Sequence, residues 1–215
     1  MAPDPREAIC EACRRLHARN LLAAGDGNLS VRMEAGRILM TPSGINKDRL
    51  RPGDLILLEA DGTARSGSPS SEAQLHRAIY QACPEARAVA HAHPPTATAW
   101  TLARPELEAL PCEALPEVLL ATGGVPVAPY ARPGTPELAA SVTPFLPGHR
   151  LVLLARHGAV AWGETLNEAC DGLERVEHVA QILLAAEALG GARPLPESEL
   201  QALKNLRAGL GPRLR

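Results

Sequence analysis

The spacing of apolar positions changes several times along the chain, and each change marks a predicted element. Over 5–23, apolar residues recur every three or four positions, which predicts a helix that Gly25 ends. Short apolar runs bounded by turn residues predict a hairpin of 28–33 with 37–41 and a third strand over 54–60. The first quarter of the chain therefore combines one helix with three strands.

The remainder of the chain continues this alternation. The pattern predicts a helix over 70–82, a buried strand over 89–93, a helix over 96–102, a late hairpin of 151–157 with 159–162, and a long helix over 164–189. Because helices stand at both ends with strands between them, we predict an α/β fold in which helices cover a central mixed sheet. We expect one domain over 1–215.

Composition restricts the class of partner. The chain has 215 residues, is 46% hydrophobic and carries a formal charge of -2, so it can bury a core but offers no strongly basic surface. This argues against nucleic acid or an anionic membrane as the main partner and favours a small molecule. No apolar run approaches the roughly 18 residues of a membrane span, and the first residues lack a signal-peptide pattern, so we expect a cytoplasmic protein.

The cysteines show no metal or disulfide framework. They are odd in number and irregularly spaced: Cys10, Cys13, Cys83, Cys112 and Cys170. Cys10 and Cys13 do form a CxxC motif, but it lies within a helical pattern and no second motif accompanies it. We predict reduced thiols, with these two packing on one helix face.

Two histidines stand one residue apart at the end of an apolar run, in Val89-Ala-His91-Ala-His93-Pro94. Alternate residues of a strand project from the same face, so both imidazoles can approach one metal ion. Taken alone, this pair fits a packed polar cluster as well as it fits a metal site.

A third histidine changes that balance. His157 follows the apolar run 151–155 and Arg156, and it precedes a glycine, so two different predicted strands end in histidine. Three histidines with an open coordination position are typical of catalytic zinc. The other histidines have helical or turn contexts and are expected to be structural or solvated: His17, His76, His149 and His178.

Three short segments can present hydrogen-bond donors to an anion: Gly25-Asp26-Gly27-Asn28-Leu29-Ser30, Thr41-Pro42-Ser43-Gly44 and Pro69-Ser70-Ser71-Glu72. The last of them begins the helix over 70–82, where free amides and serine hydroxyls favour negative charge. Each segment is individually explained by a turn or a helix N-cap.

In their order along the chain, these motifs resemble those of the class II aldolase/adducin family, and most of all its fuculose-phosphate aldolase branch. The resemblance runs from about residue 5 to 190. It implies that His91, His93 and His157 bind one zinc ion per subunit, although another divalent metal remains possible. It also implies that Glu72 ligates the resting metal and serves as the catalytic acid/base.

The same resemblance implies a substrate and an assembly. The substrate is a phosphorylated ketose, and its phosphate is held by Asn28, Ser43, Gly44, Ser70 and Ser71. The family fold is a mostly antiparallel sheet flanked by helices, in a homotetramer whose active sites lie between subunits.

Aldol cleavage generates an enediolate, which a zinc ion stabilises as a Lewis acid in place of a lysine Schiff base. The two lysines agree with this expectation, because neither Lys47, in a predicted turn, nor Lys204, near the tail, lies in a setting that predicts a desolvated amine.

Glu117 marks a departure from the fuculose-phosphate branch, which has a tyrosine at the corresponding place and aromatic residues near the C-terminus. An acidic residue near this position is found in sugar-phosphate 4-epimerases and methylthioribulose-phosphate dehydratases, so both activities remain alternatives. Glu117 can act in proton transfer or be a surface carboxylate. The dehydratases lack the carboxylate that matches Glu72, which favours an aldolase. Adducin-like interaction modules lack the metal histidines, which argues against a non-catalytic role.

Overall fold

The computed structural model describes residues 4–210, in which one sheet of seven strands runs in the order β3-β2-β1-β4-β7-β6-β5. The strands are β1 Asn28–Arg32, β2 Ile38–Met40, β3 Ile56–Leu58, β4 Ala88–Ala92, β5 Val127–Ala128, β6 Leu151–Leu154 and β7 Gly158–Gly163. Five of the six strand pairs are antiparallel, and β5 pairs with β6 in parallel. The predicted α/β fold with a mostly antiparallel central sheet is therefore confirmed, with one parallel edge.

Helices cover both faces of this sheet. They are α1 Pro5–Ala18, α2 Ala73–Ala82, α3 Pro95–Ala103, α4 Pro116–Thr122, α5 Pro136–Val142, α6 Leu166–Ala188 and α7 Glu197–Leu210. One buried cluster joins α1, α3 and α6 to the sheet, and a second cluster joins α2 and α5 to the opposite face. The sheet is thus buried on both sides, which explains why β4, β6 and β7 are continuously buried rather than alternating.

The first helix is shorter than the sequence predicts. It ends at Ala18, and Asn20 then adopts a positive φ of 60°. Leu21 and Leu22, which continue the helical spacing, are instead buried in the following loop. The carbonyl of Leu21 accepts a hydrogen bond from the backbone N–H of His93 at 2.9 Å, so tertiary packing replaces the last predicted turn.

The predicted strand over 151–157 is also shorter. β6 ends at Leu154, and Arg156 has a positive φ of 62° within the tight connection to β7. His157 consequently lies in this turn, with its N–H donating to the carbonyl of Leu154 at 3.0 Å. The prediction that His157 belongs to a strand was wrong, although the predicted hairpin exists.

All five cysteines are buried and unpaired. Cys10 and Cys13 lie on the buried face of α1, as predicted, and burial raises the pKa of the Cys13 thiol to about 12. In the part of the chain that the structure covers, no helix combines the length and apolarity that a membrane span requires.

Gly158 allows β7 to approach β4 closely. A Cβ at this position would lie 2.3 Å from the carbonyl oxygen of Ala92 and 2.9 Å from Cδ2 of His93. The glycine that follows His157 in the sequence is therefore required by packing against the end of β4.

We predict that Gly158→Ala lowers the free energy of unfolding by about 1–3 kcal/mol, because the added methyl group displaces backbone and the His93 ring. Chemical denaturation measures this loss. Gly53→Ala is the control, since a Cβ at Gly53 meets no atom within 4 Å. Equal stability of the two variants would contradict the packing argument.

Candidate metal centre and anion cavity

Strand register brings the sequence motifs together at one end of the three central strands, β1, β4 and β7. In the β1–β4 pair Asn28 lies opposite His91, and in the β4–β7 pair Val160 lies opposite His91. His93 follows the last residue of β4, and His157 immediately precedes β7. Three neighbouring strands therefore deliver an amide and three imidazoles to the same place.

The three imidazoles form a compact cluster. The ring centroids of His91, His93 and His157 lie 4.7–5.0 Å apart, and one nitrogen from each ring lies within 4.8 Å of the others. The Nε2 atoms of His91 and His93 are 3.1 Å apart. The predicted three-histidine cluster is therefore present.

The ring of His91 is held in one orientation. It is fully buried, and its Nδ1–H donates to the carbonyl oxygen of Ala159 at 2.9 Å, which leaves Nε2 with a free lone pair. Burial, together with His157 and His93, holds the pKa of His91 well below its ordinary value of 6.5. Burial also lowers the pKa values of His93 and His157. Neutral imidazoles are the form that ligates a metal.

Glu72 faces this cluster from the start of α2. Its side chain is 6% exposed, with Oε2 at 3.1 Å from Nε2 of His91 and Oε1 at 3.3 Å from Nε2 of His157. Because burial favours neutral histidines, these contacts are not ordinary salt bridges. Asn28 Nδ2 donates to Oε2 at 2.9 Å, which gives the carboxylate a defined hydrogen-bond partner.

The chemistry of these groups fits a cation. Converging imidazole lone pairs repel each other unless a positive charge or a shared proton lies between them. The carboxylate of Glu72 adds a fourth candidate metal ligand. Three nitrogens and a carboxylate oxygen form a ligand set suited to Zn²⁺ and related divalent metals.

A cavity of about 190 Å³, the candidate anion cavity, adjoins the cluster. All five residues predicted to bind phosphate line it, together with Glu72, His93 and His157: Asn28, Ser43, Gly44, Ser70 and Ser71. Its other walls include Asp26 and Pro133. The three donor segments are thus neighbours in space although they are separated along the chain.

Backbone hydrogen bonds decide which donors of this cavity are available. The N–H of Ser43 already donates to Ser68 O at 3.1 Å, and the N–H of Ser70 donates to Thr41 O at 3.2 Å. The hydroxyl of Ser70 accepts from the N–H of Glu72 at 3.3 Å and keeps its own proton for another acceptor. These two serines therefore offer hydroxyls, rather than amides, to an anion.

Glu117 does not line this cavity. It is exposed on α4 and borders a separate cavity of about 680 Å³, whose walls include Leu115, Val118, Ile182 and Leu210. Within one chain, the structure therefore places Glu117 apart from the cavity that contains the other predicted site residues.

Lys47 corrects the expectation that neither lysine is desolvated. It is 1% exposed, and burial lowers the pKa of its amine. Nζ donates to the carbonyl oxygens of Gly25 at 2.7 Å and Ile45 at 3.0 Å. The lysine thus joins two loops that form the anion cavity, which its position in a predicted turn did not reveal. Lys204 is exposed, as expected.

Glu177 is a buried supporting residue that the sequence patterns did not indicate. It lies on α6, and its carboxylate accepts the backbone N–H groups of Thr96 at 2.9 Å and Ala97 at 3.2 Å. These amides belong to the first turn of α3, just after His93 and two prolines. A negative charge stabilises this helix N-terminus and thereby fixes the chain that follows His93. Its only sequence signal is a carboxylate at an apolar-face position of a long helix.

We predict that His157→Ala lowers zinc occupancy, because only two of the three clustered imidazoles remain. Elemental analysis of zinc-loaded, dialysed protein measures this loss. Circular dichroism should show an unchanged fold, since His157 is in a turn. His17→Ala on α1 is the control and should retain zinc. Full occupancy in His157→Ala would contradict the site.

Residues 7–184 match the family described as the Class II Aldolase and Adducin N-terminal domain. The 3-oxo-tetronate 4-phosphate decarboxylase of Haemophilus influenzae is 32% identical over 93% of this chain and 96% of its own. The methylthioribulose-1-phosphate dehydratase of Methylococcus capsulatus is 36% identical over 80% and 88%. A solved L-fuculose 1-phosphate aldolase superposes with a TM-score of 0.84 at 32% identity, over 95% of this chain and 97% of that one. This chain belongs to the class II aldolase and adducin family.

Proposed function

We propose that this chain is a metal-dependent carbon–carbon lyase that cleaves a ketose 1-phosphate, similar to fuculose 1-phosphate, into dihydroxyacetone phosphate and an aldehyde. The observation that carries the proposal is the buried Glu72 carboxylate, 3.1 and 3.3 Å from two imidazoles of the histidine cluster, beside a cavity with amide and hydroxyl donors. Cation ligands, a proton-transfer group and anion donors are the three parts that this reaction requires.

In this proposal the cavity holds the phosphate group. Ser43, Ser70 and Ser71 donate their hydroxyls, while Asn28 and Gly44 contribute N–H groups. Hydrogen bonds to a charged acceptor are the strong ones, so several neutral donors can bind phosphate without a lysine or arginine.

His91, His93 and His157 hold the metal, and Glu72 is a fourth ligand before substrate binds. A divalent cation there, zinc in our proposal, supplies Lewis-acid stabilisation of the negative charge that develops on the substrate oxygen. Ala159 and Asn28 support this set, because they orient His91 and Glu72 through hydrogen bonds.

Glu72 moves the proton at the reacting carbon. When the carbon–carbon bond breaks, its electron pair stays on the carbon next to the carbonyl and forms an enediolate. Glu72, which takes up a proton from solvent as substrate binds, then donates that proton to the carbon, which gives dihydroxyacetone phosphate. The hydroxyl of the departing carbon loses its proton as the aldehyde forms.

A neighbouring subunit supplies the acceptor for that hydroxyl proton. Glu117 lies outside the anion cavity of its own chain, and the cavity that it borders has an apolar wall. We propose that this face packs against another copy in a homotetramer, so that Glu117 completes the active site of its neighbour. Apolar surface of this kind is typical of subunit contacts.

Decarboxylation of a phosphorylated 3-oxo acid is a second candidate, favoured by the 32% identical decarboxylase relative. Loss of carbon dioxide leaves its electron pair on the same carbon, and Glu72 again supplies the proton. No hydroxyl proton is removed in this reaction, so Glu117 is not required.

Product analysis distinguishes these activities. We expect metal-loaded protein to release dihydroxyacetone phosphate from at least one ketose 1-phosphate in a panel. Release of carbon dioxide from 3-oxo-tetronate 4-phosphate, with no cleavage of ketose phosphates, would establish the second candidate instead. An epimer or a dehydrated product as the sole outcome would overturn both, and the panel therefore includes a ketose 5-phosphate and methylthioribulose 1-phosphate.

Glu72→Gln keeps the shape of the side chain but removes the base. We expect it to retain metal and to slow turnover by roughly 10²-fold or more. Exchange of the dihydroxyacetone phosphate C–H proton with solvent, followed by NMR, should be lost as well. Glu117→Gln is the matched comparison and should slow cleavage while sparing exchange. The opposite pattern would reverse the two roles.

Ser71→Ala tests the phosphate site. We predict that it weakens binding of dihydroxyacetone phosphate by about 1–3 kcal/mol, the cost of one lost hydrogen bond to a charged group. Calorimetric titration measures the change. Unphosphorylated dihydroxyacetone serves as the control ligand and should be unaffected. Equal losses for both ligands would mean that Ser71 does not contact phosphate.

A further inference from the structure

His76 lies directly behind the proposed catalytic groups and is completely buried. It stands four residues after Glu72, the N-cap residue of α2, so both side chains lie on the same side of this helix. Asn28 and Ser30 alternate along β1 and therefore face the same way. The packing of α2 against β1 brings these four side chains into one polar network within an apolar core.

The network is a continuous series of hydrogen bonds. Tyr80 OH lies 2.9 Å from Ser30 Oγ, and Ser30 Oγ lies 2.7 Å from His76 Nδ1. His76 Nε2 lies 2.6 Å from Asn28 Oδ1, and Asn28 Nδ2 lies 2.9 Å from Glu72 Oε2. Ser30, His76 and Asn28 thereby each have two hydrogen-bond partners within the series.

Only one arrangement of protons satisfies the series. Asn28 presents its NH₂ group to Oε2 of Glu72 and its Oδ1 to His76. His76 must then carry its proton on Nε2, which leaves Nδ1 as an acceptor for the Ser30 hydroxyl. Ser30 in turn accepts from Tyr80. The orientation of the Asn28 amide thus sets the direction of every bond in the series.

A neutral His76 is the form that this arrangement requires. Burial lowers the pKa of His76 to about 3, with His91 lowering it further and Glu72 opposing the shift. A neutral imidazole has one donor and one acceptor, which matches its two partners. A doubly protonated ring would direct a second N–H at the hydroxyl of Ser30.

We propose that His76 is a positioning residue of the active site. Its neutral ring, protonated on Nε2, links Ser30 to Asn28 by hydrogen bonds, an arrangement that we call the His76 relay. The relay holds the amide of Asn28 with its NH₂ group towards Glu72. Oε2 of Glu72 is then held by Asn28, and Oε1 is the oxygen that exchanges protons with substrate. The second N–H of the same amide serves the phosphate. This inference rests on the roles proposed for Glu72 and Asn28.

Loss of the relay has a specific consequence. Without a donor at His76, Oδ1 of Asn28 loses its partner and only the bond to Oε2 of Glu72 still holds the amide, so its position is less well defined. Phosphate binding and proton exchange should then weaken together. Metal content should stay constant, because the three clustered histidines are unchanged.

Substitutions that differ in one donor test the relay. His76→Leu removes the ring donor, whereas His76→Gln keeps an N–H near the position of Nε2. We expect His76→Leu to bind inorganic phosphate and dihydroxyacetone phosphate about tenfold more weakly. We also expect it to slow exchange of the dihydroxyacetone phosphate C–H proton with solvent about 10–100-fold. His76→Gln should restore both to within a few-fold of the original protein.

Tyr80→Phe is the matched control for polarity lost from the core. It removes the hydroxyl at the far end of the series but leaves the bonds between Ser30, His76, Asn28 and Glu72, so phosphate binding and exchange should not change. Thermal unfolding confirms that each variant is folded. Normal phosphate binding in folded His76→Leu, or a loss in Tyr80→Phe equal to that in His76→Leu, would overturn the proposal.

The position of the ring proton of His76 can be measured in the original protein, without any substitution. NMR of the original protein labelled with ¹⁵N-histidine should show His76 as the Nε2–H tautomer. An Nδ1–H tautomer or an imidazolium at neutral pH overturns the relay. These readouts need no turnover: if no substrate in the panel reacts while the tautomer and phosphate results hold, the proposed function fails and the relay stands.

Discussion

The hydrogen bond from His91 Nδ1 to the carbonyl oxygen of Ala159 is the contact on which the rest of the site depends. It joins the end of β4 to the beginning of β7, beside the cavity. Because Nδ1 carries the proton, Nε2 carries the lone pair and points towards Nε2 of His93 and Oε2 of Glu72. The ring is completely buried, so it has little freedom to leave this position. Backbone pairing thereby sets the direction of a side-chain ligand.

A buried carboxylate next to three imidazoles imposes a second constraint. Glu72 is removed from water and needs partners, which Asn28 supplies from one side and the histidine cluster from the other. The network behind Asn28 continues this compensation into the core through His76 and Ser30. A polar group in an apolar core is tolerated when each atom is bonded, and such a network specifies one arrangement.

The loops around the cavity are held by two buried charged side chains, Lys47 and Glu177, which do not line it. Lys47 joins Gly25 to Ile45, and Glu177 binds the amides at the beginning of α3. Gly27 has a positive φ of 68°, and a Cβ there would lie 2.7 Å from the carbonyl oxygen of His91. Close approach and buried ionic contacts together confine the loops, so the hydroxyls and amides are placed before any ligand binds.

The sequence by itself determined the fold class and the composition of the site. Apolar periodicity located most helices and strands of the sheet, and the ordered motifs identified the three histidines, Glu72 and the five residues that line the anion cavity. The histidine pair and the serines at a helix start were readable because each depends on local spacing, whereas the roles of Glu72 and of the five cavity residues were implied by the family resemblance. The small elements α4 and α5 and the two-residue β5 were not predicted, since their patterns are too short to exceed background. The longer helix α7 (Glu197–Leu210) was also not predicted.

Tertiary structure alone decided the remaining features. It ended α1 at Ala18, because Leu21 and Leu22 gain more from burial in the core than from another helical turn. It placed His157 in a turn, buried Lys47, separated Glu117 from the cavity, and enclosed His76 between β1 and α2. Burial and partner choice depend on contacts between residues that lie 40 or more positions apart, as in the bonds from Asn28 to Glu72 and from His91 to Ala159. A linear pattern records which groups are present, and only packing decides which of them meet.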